Sequence, residues 1–167
     1  MSEEQEYPEN FYRGISSKGF IGSDGHPDIQ AFTFDEPPRG DSYREMSINW
    51  NDSDESLEVL LNQKKKDGSI QFVAGAINID LAEVRRILSP FIVDKRFNYE
   101  RRPCEGNIFH GNLLLKQGDN KTENRKLDSM IRNFLALLSV HKSIIPNANV
   151  EENDQKPSVQ PIQDSSK

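Results

Sequence analysis

The chain has 167 residues, enough for one domain with a buried core and short for two. Hydrophobic residues make up 34% and charged residues 29%, with a net charge of −6. The acidic excess lies at the two ends, which leaves a neutral body. Such a body argues against non-specific nucleic-acid binding, since phosphate affinity depends on clustered cations.

The first ten residues, MSEEQEYPEN, carry four Glu and no cation, and the stretch from Pro146 onward has almost no large apolar side chain. Segments of that kind cannot bury enough surface to offset chain entropy. The expected organisation is a flexible acidic N-terminus over residues 1–10, a folded unit over 11–145 and a disordered acidic tail over 146–167. A single cysteine, Cys104, excludes an intramolecular disulfide and a multi-cysteine zinc site. No basic start precedes an apolar core, and no apolar run reaches the roughly 20 residues that span a bilayer. A reduced, cytoplasmic setting without membrane contact is expected, with no cofactor and no metal.

FYRGI, residues 11 to 15, reads as a short strand, followed by a Gly-, Ser- and Asp-rich loop with a turn at Asp24-Gly25. IQAFTF, residues 29 to 34, is expected as a second short strand, broken by the prolines at 37 and 38. In REMSINW, Met46, Ile48 and Trp50 alternate with Ser47 and Asn49, the period of a half-buried strand. Ser53 or Asp54 can cap a helix running to Lys66, where Asp67-Gly68 ends it. SIQFVAGAINI (69 to 79) predicts a strand; Asp80 and Glu83 then open a short helix that Pro90 closes.

FIVDKRFNY and NIFHGNLLL predict the last two strands, parted by the polar turn ERRPCEG. The final helix is expected from Thr122 to His141. Its Leu127, Met130, Ile131, Phe134, Leu135 and Leu138 form one apolar stripe that must pack on something, most simply a sheet. The fold class is therefore α+β: a single domain, mostly antiparallel sheet, with two short helices and a long C-terminal amphipathic helix packed on it.

Candidate chemistry gathers at few positions. His110, in a strand, shares a face with Ile108 and Asn112, a setting that suits a hydrogen-bonded imidazole or a working base. Arg13 on an early strand and Ser47 on a later one follow the order found in some ADP-ribosyltransferases. There the arginine anchors the phosphates of NAD and the serine supports the pocket. The third part, a glutamate motif opening a late strand, is missing: Glu100 and Glu105 fall in a turn. Arg13, Ser47 and His110 are the catalytic candidates, with Asn49, Trp50 and Asn107 as binding candidates. No P-loop, G-x-G-x-x-G, G-x-S-x-G or H-E-x-x-H motif occurs.

The order Arg13, Asp24-Gly25, Ala31-Phe32, Met46-Ser47-Ile48-Asn49 and Asn107 with His110 resembles a group of small bacterial proteins that share an Arg…DG…AF…MSIN…NxxH pattern. Where that pattern has a proline after the asparagine, this chain has Ile108. The resemblance carries no activity; it implies a bacterial origin and a mobile or defence-related gene context. The function expected is that of a small interaction or accessory protein acting through a protein partner, in a bacterial antiviral defence or toxin-antitoxin-type system. The alternative is a nucleotide- or NAD-using enzyme with a site around Arg13, Ser47 and His110.

Overall fold

The computed structural model describes residues 6–36, 42–140 and 142–150. Five strands, β1 (Asn10–Ile15), β2 (Tyr43–Trp50), β3 (Gly75–Asp80), β4 (Phe97–Arg101) and β5 (His110–Lys116), form one sheet in the order β3-β1-β2-β5-β4. All pairings are antiparallel. Three helices accompany them: α1 (Glu55–Leu61), α2 (Leu81–Val93) and α3 (Lys121–Leu138). The α+β domain expected from the sequence is the domain found.

Alternation along each strand divides the side chains between two faces. On the first face Phe11, Ile15, Met46, Ile48, Trp50, Ile77, Ile79, Leu113 and Leu115 form one core with α2 and α3. The apolar stripe of α3 supplies Leu127, Ile131 and Leu135 to it. On the second face a smaller cluster, Leu60, Leu61, Phe72 and Ala76, packs α1 and the following loop over β1 and β3. The second face on β2, β5 and β4 is mostly polar, with Leu114 among its side chains, and Ser47 and Asn98 reach solvent there.

Local chemistry explains where elements depart from expectation. Ile29–Ala31 is a 3-10 turn rather than a strand, because Asp28 accepts the Gln30 N–H and caps it. Helix α1 stops at Leu61, five residues short of Lys66. The lysines instead enter a tight hairpin in which Lys64 bridges Ile70 and Gly68 takes φ 85°. Strand β3 starts only at Gly75, since Phe72 turns down onto the bare Cα of Gly14. Helix α2 continues past Pro90 to Val93. Proline has no N–H for the Arg86 carbonyl, and the Ser89 hydroxyl donates to it instead at 3.4 Å.

Packing extends beyond both expected boundaries of the folded unit. The Tyr7 ring packs at a tilt against Trp50 and edge-to-face with Tyr99, with ring centroids 4.8 and 4.9 Å away. At the other end Ile145 bridges Ala76 through two backbone bonds. The amide of buried Asn147 donates to both Leu61 O and Phe72 O. Residues 146–150 thus belong to the fold, while residues 1–5 and 151–167 of the two expected tails lie outside the described residues, as do the prolines at 37 and 38.

Candidate functional site

The segment from Cys104 to Asn112 is held by one buried asparagine. The Asn107 Oδ1 accepts the Phe109 N–H at 3.1 Å, a turn that delays β5 until His110. Its Nδ2 donates to Asn49 Oδ1 at 2.7 Å, and Asn49 Nδ2 in turn donates to Ser56 O at the start of α1. Asn49 and Asn107 are buried. The chain fastens the loop, β2 and α1 together with every amide group used. This turn also throws Ile108 out to 72% exposure, so Ile108 does not share the strand face of His110 and Asn112.

His110 is half-buried at the first position of β5, opposite Asn49. Its Nδ1 lies 2.8 Å from Arg102 O, and a carbonyl only accepts, so Nδ1 carries the proton in the neutral ring. Nε2 is then left with its lone pair and no partner among the described residues. Asn112 follows two residues on, directly opposite Ser47 on β2 and Glu100 on β4. Its Nδ2 donates to Glu100 Oε1 at 3.3 Å. Arg102 reaches across to Glu45 at 3.0 Å and to Glu100 at 3.6 Å. Ser47 and His110 therefore stand at diagonal positions on one polar sheet face, with Glu45, Glu100, Arg102 and Asn112 around them.

Arg13 does not join them. It lies on the first face with Phe11 and Ile15, where Nε donates to Ala31 O at 2.9 Å and Nη1 to the backbone O of Ser47 at 2.8 Å. The register places Gly14 opposite Ser47, but the β1–β2 ladder ends at Tyr12, and the guanidinium takes the carbonyl that the ladder leaves. Burial pushes Arg13 down to about 10, with Asp35 acting in the opposite sense. The arginine ties the 3-10 turn to β2 with the sheet between it and the Ser47 and His110 side chains.

Trp50 also points to the first face. Its indole lies across Gly111 and donates to Glu100 O at 3.0 Å. Of the six sequence candidates, Ser47 and His110 share an open surface, Asn49 and Asn107 form the buried clasp, and Arg13 and Trp50 serve the core side. Glu45 and Arg102 were not among the sequence candidates, and Glu100, expected in a turn, lies in β4 opposite Asn112. Their signal was available in principle, because strand parity places all three on the face of His110 once the register is known.

No protein-family model, curated protein or solved structure matches the chain.

Several arginines in the paired cations of the sequence (85–86, 95–96 and 101–102), which would have to form one stripe to bind phosphates, are engaged with protein groups. Arg101 makes a bidentate pair with Asp52 at 2.7 Å through each nitrogen, Arg96 pairs with Asp94, and Arg85 donates to the Tyr99 hydroxyl. Among the described residues no three His, Cys, Asp or Glu side chains group as metal ligands, and no helix is long and apolar enough to cross a membrane.

A different surface stands out on α3. Met130, expected in the packing stripe, is 40% exposed; Leu137, seven residues on, is 61% exposed, and exposed Val140 follows just past the helix. Leu137 and Val140 face a groove walled on its other side by the Asp24-Gly25 loop.

Proposed function

We propose that the chain is a small interaction or accessory protein that acts through a protein partner. One observation carries the reading: Leu137 on the core helix α3 and Val140 just past its end turn exposed apolar side chains into one groove, apart from the buried stripe. A helix needs only one apolar stripe to pack on its sheet, and contiguous exposed apolar side chains mark interaction sites. The ion-paired arginines support a protein rather than a nucleic acid as the partner. The setting we infer, from the resemblance of the sequence to small bacterial proteins, is a cytoplasmic defence or toxin-antitoxin-type system.

The test is capture at that groove. The full chain, carrying a photo-crosslinking residue at Leu137 and expressed with its neighbouring gene products, should yield one discrete adduct. The same residue at exposed Asn98, on the opposite face of the sheet, should yield none. Leu137→Asp should weaken co-elution of that partner by about tenfold or more, as expected when an anchor at an interface is removed. Equal crosslinking from both positions, or a partner retained by a folded Leu137→Asp variant, would refute the reading.

A further inference from the structure

The groove beside Leu137 has a chemistry that narrows the partner. It is an open groove of about 440 Å³ between Asp24, His26 and Asp28 on one wall and Asn133, Leu137 and Val140 on the other. Its volume falls within the range of about 300 to 1,000 Å³ that holds one or two sizeable groups. No lysine or arginine lines it.

Both carboxylates are half engaged. Asp24 Oδ1 accepts the His26 N–H at 3.0 Å, and Asp28 Oδ1 accepts the Gln30 N–H at 2.8 Å. Those bonds fix each side chain on its turn and leave the second oxygen available. Neither carboxylate has an ion pair among the described residues. The Leu137 and Val140 side chains thus share the groove with two immobilised carboxylates that have no ion pair among the described residues.

We propose that this groove receives a basic, amphipathic protein segment, with one or two apolar side chains seated on Leu137 and Val140 and flanking lysine or arginine against Asp24 and Asp28. The inference rests on the partner-binding reading above and adds the chemistry of the partner. Charge complementarity selects this occupant: the two carboxylates repel anionic headgroups and phosphate backbones and attract a cationic chain. The division of labour is also defined. Exposed rim charges govern the rate of encounter and its salt dependence, and the apolar contact governs the rate of release.

The experiment uses the full chain and three labelled helix-forming peptides of about twelve residues, followed by fluorescence anisotropy at low salt. One carries leucines flanked by lysines, a second has glutamate in place of lysine, and a third has serine in place of leucine. The lysine–leucine peptide should bind saturably, and the other two at least about tenfold more weakly. Asp24→Asn with Asp28→Asn keeps both turn-capping oxygens and removes only the charge. That pair should weaken the lysine–leucine peptide about three- to tenfold, while the control pair Asp67→Asn and Asp119→Asn leaves it unchanged. Equal binding of the glutamate peptide, or an equal loss in the control pair, would overturn the proposal. So would a lysine–leucine peptide that binds the uncharged variant Leu137→Ser undiminished. A partner captured at Leu137 whose affinity ignores salt and both aspartates would leave the partner-binding reading standing and remove this one.

Discussion

Gly111 shows what a single missing atom does here. A Cβ at this position would sit 2.1 Å from Trp50 Nε1 and 2.4 Å from Glu100 O. The glycine is thus the gap through which the indole reaches from β2 across β5 to a carbonyl on β4. Alanine must push the ring aside, which adds overpacking to the loss of a buried hydrogen bond, together about 3 to 5 kcal/mol. On a typical total of about 5 to 15 kcal/mol that is a large share. Gly111→Ala should shift the denaturant midpoint accordingly. Trp50, the chain's one tryptophan, reports the displaced ring through its own fluorescence. An unchanged midpoint would mean that the indole bond contributes nothing. His110, next to it, owes its ring orientation to Arg102 O and its backbone position to the same glycine-opened strand.

Elements, by contrast, are joined by side chains that bond backbone. The Asn107–Asn49–Ser56 chain fixes three elements, and it has no slack: with Asn49 Nδ2 on Ser56 O, only Asn107 Nδ2 satisfies Asn49 Oδ1. Asn107→Ala should therefore strand a buried acceptor at a cost of about 1 to 3 kcal/mol, while Ile108→Ala, at an exposed site, should change stability by less than about 0.5 kcal/mol. Thermal melts of the two variants decide the point; equal losses would dismiss the clasp. The strands and α3 were legible in the sequence because period two in MSINW and the apolar stripe of α3 are local signals. The clasp was not, because Asn49 and Asn107 lie 58 residues apart and meet only through the β2–β5 register. For the same reason Arg13 read as a partner of Ser47: the two do meet, but through a backbone carbonyl on the core side. Proline misled at residue 90, since Ser89 supplies the donor that proline lacks.

At the scale of the whole molecule, the sheet is closed by segments whose composition reads as tail. The outer edge of β3 would be open at Ala76 without Ile145, which accepts one backbone bond from it and donates another. Gly75, at φ 105°, lets that segment approach: a Cβ there would meet Ile145 O at 1.9 Å. Asn147 then ties the chain to Leu61 at the end of α1 and to Phe72, and Val150 is buried beyond it. Polar composition hid this segment, because its hold comes from one amide with two carbonyl partners and a single valine rather than from an apolar run. A chain ending at Ile145 leaves the carbonyls of Leu61 and Phe72 without the amide, each worth about 1 kcal/mol net as a hydrogen bond, and exposes the apolar cluster under α1. Some of that loss is returned as chain entropy released by the missing residues. We therefore expect the 1–145 form to be about 1 to 3 kcal/mol less stable than the 1–150 form, with the difference seen first in hydrogen exchange of α1 and β3 rather than of β4 and β5. The single change Asn147→Ala in the full chain should reproduce most of the loss. If exchange rises equally in all five strands, the strap is bound up with global unfolding and does not locally clasp α1 to β3.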